Sequence, residues 1–101
     1  MEHRTNLRLP VEFSVLLNYQ KLGLIAGKIK NISPEGAFVA TQAVNIPRHQ
    51  LLEIAFKFPG QASNTTHRLE ALVVHVKQDG MGLMFVGAEA PVLNAFTRFR
   101  A

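Results

Sequence analysis

The 101-residue chain contains no cysteine, no tryptophan and a single tyrosine. Without cysteine, disulfides and thiolate metal sites are excluded, and nothing ties the chain to an oxidising compartment. With no tryptophan and one tyrosine, it has few of the aromatic side chains on which a small barrel stacks single-stranded nucleic acid. Its seven phenylalanines are spaced mainly as core. No apolar run approaches the ~20 residues of a membrane span, and the start Met1-Glu2-His3-Arg4-Thr5-Asn6 has no apolar signal segment. The expectation is a cytoplasmic protein with no membrane insertion. Charge is sparse as well, at 18% of residues. The net charge of +4 is dispersed, which favours anionic partners mildly without marking a nucleic-acid arm. No nucleophile–base–carboxylate set suggests itself, so an enzyme is not expected.

Hydrophobic residues make up 48% of the chain, enough for one domain with a real core. Val11 to Leu17 begins with apolar–polar alternation and reads as a first strand. Leu22 to Lys30 reads as a second, with Gly23 and Gly27 pointing to a bend or a close backbone approach. A turn is expected from Asn31 to Gly36, then a short strand at Ala37–Ala40 and a loop from Gln42 to Gln50. Leu52, Ile54, Phe56 and Phe58 share one face of the next strand. Leu69–Val76 and Met81–Val86 form a hairpin about Gln78-Asp79-Gly80. The tail changes period: Val92, Leu93, Phe96 and Phe99 make a helical stripe, with Pro91 in the first turn and Arg98 and Arg100 in the last. The expected architecture is all-β: a small six-stranded antiparallel barrel closed by a C-terminal α-helix. One domain covers 1–101, with a flexible strap at 1–9, the barrel at 10–88 and the helix at 90–100.

Two short elements carry chemistry. Arg4 and Arg8 stand four apart in a polar segment, and some twenty residues later comes Asn31-Ile32-Ser33-Pro34-Glu35-Gly36. A guanidinium fork is planar and always charged; it grips phosphate bidentately, donates to the guanine edge or stacks on a base. Asn31 offers an amide donor and acceptor to a base edge, and Ser33 a hydroxyl. Gly36 is expected to supply a positive φ in a tight turn and to remove a Cβ that would block a ligand. Other features carry less. His67 and His75 lie on one strand face by parity, but eight residues of strand span about 26 Å, too far for a shared metal. Gly80-x-Gly82 lies in a hairpin and does not extend to a dinucleotide fingerprint.

Arg4-Thr5-Asn6-Leu7-Arg8 followed by Asn31-Ile32-Ser33-Pro34-Glu35-Gly36 resembles the double signature of the PilZ domain family, Arg-x-x-x-Arg and (Asp/Asn)-x-Ser-x-x-Gly. The stretch Gly80-Met81-Gly82-Leu83-Met84-Phe85 and the terminal helix are similar to family features too. The resemblance implies a six-stranded antiparallel barrel that binds cyclic di-GMP, with no cofactor besides that ligand and no metal. It further implies that Arg4 and Arg8 contact guanines and phosphates, and that Asn31 and Ser33 contact a guanine and its phosphate. Gly36 would let the turn approach, with His3 and Gly82 as secondary contacts. His3 stands where relatives often carry a further arginine. The implied partners are cyclic di-GMP and an unidentified effector protein, for a chain that is a monomer or weak homodimer. The alternative is a module of the same fold, of the pilus-biogenesis type, that binds proteins but no nucleotide.

Overall fold

The computed structural model describes residues 9–42, 46–60, 65–87 and 90–100. They form β1 (Leu9–Tyr19), β2 (Gly23–Ser33), β3 (Gly36–Ala40), β4 (Leu51–Phe56), β5 (His67–Lys77), β6 (Gly80–Val86) and α1 (Ala90–Arg100). Every strand pairs antiparallel with its neighbours, and the order β1-β2-β3-β6-β5-β4 closes on itself as a barrel. The expected six-stranded barrel with a terminal helix is therefore the observed one.

Alternation explains the walls. In β1, Phe13, Val15, Leu17 and Tyr19 are buried while Glu12, Ser14, Leu16 and Asn18 face out. In β4, Leu52, Ile54 and Phe56 point inward, and Phe58 stays buried just past the strand end. The β1–β2 turn is closed by the Leu22 N–H donating to the Tyr19 carbonyl at 2.9 Å. Gly23 follows at a φ of 80°, a left-handed conformation that costs glycine little.

One end of the barrel is an aromatic cluster. The Phe56 and Phe58 ring centroids lie 5.2 Å apart, and Phe13 sits about 6 Å from each. Helix α1 closes this end: Phe99 packs 4.9 Å from Phe58 and 6.0 Å from Phe13, and Phe96 lies 6.3 Å from Phe58. A helix this short is marginal alone, so packing of its aromatic stripe holds it.

Two breaks in register decide which side chains face outward. In β2 the pairing to β3 jumps from Ile29↔Val39 to Asn31↔Phe38, and the pairing to β1 shifts between Pro10 and Phe13 opposite it. In β5 the pairing to β6 jumps from Val73↔Leu83 to His75↔Gly82. Each break is a β-bulge, and it reverses which parity of residues faces the core. His67, Leu69, Ala71 and Val73 are buried, but His75 is exposed. The expected shared face of His67 and His75 is thus overturned by the bulge at Val74. Strand β2 likewise runs through Ser33, so the expected Asn31–Gly36 turn shrinks to Pro34-Glu35.

Candidate functional site

With regular alternation from Ile29, Asn31 would point into the barrel. The bulge at Lys30 turns it outward and sends Ile32, 1% exposed, into the core instead. Asn31 is half-buried and pairs across β1 with Pro10. Leu9 pairs with Ile32, and Arg8 precedes Leu9 in the sequence. Arg4, Arg8 and His3 themselves lie outside the described residues.

Ser33 is 2% exposed, and its Oγ accepts the Glu35 N–H at 3.2 Å. The hydroxyl organises the turn, as serine side chains commonly do two residues ahead. The Glu35 carbonyl accepts the Phe85 N–H at 2.7 Å, which ties the turn to β6. Gly36 differs from expectation. It is buried and has no positive φ. A Cβ there would run into the Leu83 carbonyl of β6. The glycine is required because two backbones approach closely, not because the turn is left-handed or because a ligand needs the space.

The outward Asn31 begins a row that crosses four strands. Asn31 pairs with Phe38, Phe38 with Gly82, and Gly82 with His75. Paired residues share a face, so these four lie side by side on the outer wall, with a bulge turning outward the residue at each end. Space beside this row is tight. A Cβ on Gly80 would meet Phe38 Cζ at 2.7 Å, and one on Gly82 would meet His75 Cβ at 3.2 Å. The half-buried Phe38 ring thus lies over Gly80, and the Lys77 ammonium stands 5.6 Å from its centroid, within cation–π range. Sequence reasoning reached Asn31 and Gly82 but missed Phe38, His75 and Lys77. Alternation within Ala37-Phe38-Val39-Ala40 was hidden because all four residues are apolar.

Electrostatics beside this row are mild. Glu12 bonds Lys30 at 3.0 Å and lies 3.9 Å from Lys28, and these ammonium groups hold its carboxyl below the ordinary range. Both pairs are exposed, so each adds little stability. An outward asparagine, a half-buried aromatic ring, an imidazole and an ammonium can together read the edge of a planar base, stack on its face and balance an anion. Among the described residues, no group of three or more His, Asp and Glu could hold a metal ion. Nor is any described helix long and apolar enough to cross a membrane.

The chain is thus a closed antiparallel barrel with a helix over one end and a row of Asn31, Phe38, Gly82 and His75 on its outer wall. The chain belongs to the PilZ domain family, whose model matches residues 2–100. PilZ domains are receptor and adaptor modules for cyclic di-GMP and not enzymes. Two solved structures share the fold. The Bacillus subtilis inhibitor of motility (MotI/DgrA) superposes with a TM-score of 0.83 at 16% identity, over 99% of this chain and 51% of that one. The chain thus spans about half the length of that protein. The PilZ domain of CeSA from a cellulose-synthesizing bacterium superposes with a TM-score of 0.67 at 14% identity, over 93% of this chain and 92% of that one. No curated protein sequence matches significantly.

Proposed function

We propose that the chain is a cyclic di-GMP receptor that couples ligand binding on its outer wall to an effector protein. The observation that carries this reading is the bulge at Lys30. It turns Asn31 outward beside Phe38, on the strand pair through which the Arg4–Arg8 segment joins the barrel. In this reading Arg8 and Arg4 grip phosphates and guanine edges, Asn31 reads a guanine, and Phe38 offers a face for stacking. Ser33 shapes the turn and keeps its hydroxyl proton for a ligand oxygen. Ligand draws residues 3–8 onto the barrel and creates the surface that an effector recognises, an order-on-binding switch.

The magnitudes suit a sensor. Charge-assisted hydrogen bonds contribute roughly 1.5–3 kcal/mol each, and an arginine–guanine pair about 1–3 kcal/mol of discrimination. Ordering a chain segment opposes them at roughly 1–2 kcal/mol per residue. The balance is compatible with an affinity near micromolar, about −8 kcal/mol.

Titration calorimetry with cyclic di-GMP tests the reading. Binding is expected for the parent chain and for Arg68→Ala, which alters an exposed arginine of β5, and is lost in Arg8→Ala. Absence of heat at high micromolar protein sinks the receptor reading, and equal losses in the two arginine variants reduce it to general electrostatics. Hydrogen exchange gives a separate check of the switch: amides of residues 3–8 should gain protection on adding ligand.

A further inference from the structure

The aromatic ring of the outer-wall row has a cation standing over it. Lys77 ends β5 and pairs with Gly80, the first residue of β6, which pairs in turn with Ala40 of β3. Gly80 has no side chain, and the space beside it is taken by the Phe38 ring: a Cβ there would lie 2.7 Å from Cζ and 2.9 Å from Cε2. With nothing projecting from Gly80, the Lys77 stem crosses β6 and brings its ammonium over that ring, 5.6 Å from the centroid. A base stacked on Phe38 would have its own ring centroid about 4.5–7 Å away. Base and ammonium thus claim the same layer over the ring. Among the described residues Lys77 makes no ion pair, whereas Lys28 and Lys30 are held by Glu12 at 3.9 and 3.0 Å.

We propose that Lys77 is an exchangeable cover on Phe38: a guanine base displaces the ammonium from the ring, and the ammonium passes to a phosphate of the same ligand. This role rests on the reading of the row as a cyclic di-GMP site. An ammonium over an exposed ring is held weakly, and one facing a phosphate is held more strongly. A ligand that brings base and phosphate together therefore gains from the exchange. A neutral base must lift the ammonium away with nothing to receive it. The row thereby favours nucleotides over nucleosides without any further contact to the base. The flexible four-carbon stem of lysine permits the move while the backbone stays in its ladder. Lys28 and Lys30 are poor substitutes, because their ammonium groups already face Glu12.

Proton NMR and calorimetry test the exchange together. In the free parent chain the Lys77 ε-methylene should resonate upfield of its position in Phe38→Leu, because it lies beside the ring. Saturating cyclic di-GMP should return it to the unshifted position, and millimolar guanosine should not. Lys77→Ala, with an unchanged circular dichroism spectrum, should bind cyclic di-GMP about ten-fold more weakly at low salt. The difference should narrow at high salt, where screening weakens an ammonium–phosphate contact, and Lys77→Arg should restore the affinity. An upfield shift that is absent from the free chain, or that persists in the saturated complex, overturns the exchange. So does guanosine that moves the signal as far as the dinucleotide does, or a Lys77→Ala chain that binds like the parent or is weakened equally at both salts. No heat from the parent removes the receptor reading and this role with it, whereas heat without movement of the Lys77 signal removes the role alone.

Discussion

The two ends of this barrel's chemistry are built by opposite means. The aromatic end is a closed packing of Phe13, Phe56, Phe96 and Phe99 around Phe58, with His67 against Phe56 and Phe58, reached by strict alternation and a helical stripe. The outer-wall row of Asn31, Phe38, Gly82 and His75, the proposed ligand site, exists because alternation fails twice, at the bulges of β2 and β5. Regularity makes the core, and its interruption makes the surface that can do something. Substitutions at the first region should therefore appear in stability and leave recognition intact, while those at the second should do the reverse.

Phe58→Ala is the harshest test of the aromatic end. Phe58 is 5% exposed and touches rings from β1, β4, β5 and α1. Large-to-small changes of this kind cost about 3–5 kcal/mol, a large share of the 5–15 kcal/mol typical of a small domain. Urea unfolding should show that loss, while the folded fraction keeps its affinity for cyclic di-GMP. A loss of affinity without a loss of stability would dissolve the division.

Gly36 probes the border between the two regions. It belongs to the ligand motif, but its side-chain space is filled by the Leu83 carbonyl. Gly36→Val should therefore destabilise even without ligand, by about 1–3 kcal/mol and toward the upper figure, because the obstacle is backbone. The Phe85 amide, bonded to the Glu35 carbonyl, should lose exchange protection first. An unaltered stability with weakened binding would return Gly36 to the ligand side.

Phe38→Ala takes the other side. The ring is outward and half-buried, so its removal should change stability little. Base–aromatic stacking is worth about 1–3 kcal/mol per base, and calorimetry should register a loss of affinity in that range. Binding that is unaffected would take Phe38 out of the site.

How far the sequence led follows the same division. Val11 to Leu17, Leu52 to Phe58 and the tail helix were legible because each repeats an apolar residue at a fixed period. The motif residues were legible because their types and spacing resemble a family signature. The bulges were not legible: Lys30 and Val74 are ordinary strand residues, and nothing local marks either as an insertion. The role of Gly36 was hidden for another reason. Its constraint comes from Leu83, a neighbour only once β3 and β6 pair.

The smallest expected effect concerns His67, where an ionisable group sits inside the aromatic end. It is 7% exposed, with ring centroids 5.5 Å from Phe58 and 5.9 Å from Phe56. Burial, then the nearby Arg98 charge, lowers its pKa from the ordinary 6.5. A lowered native value means that the unfolded chain takes the proton more readily, so acid favours unfolding. The contribution of neutral His67 is complete above pH 6.5. It is lost as the pH falls through the lowered native value, below which the loss levels off. Glu12 acts in a separate, more acidic window, since its carboxyl is held below 4.5 by Lys30 and Lys28. Urea midpoints measured from pH 7.5 to 5 should therefore decline for the parent chain. The decline should flatten in His67→Phe, which keeps a ring in place but removes the titration, and persist in His75→Phe, which alters an exposed imidazole on the ligand row. Arg98→Gln should soften it only in part, because burial is the larger cause. If His75→Phe flattened the profile instead, the pH sensitivity would belong to the ligand row, and the assignment of stability to one region and recognition to the other would fail at the imidazoles.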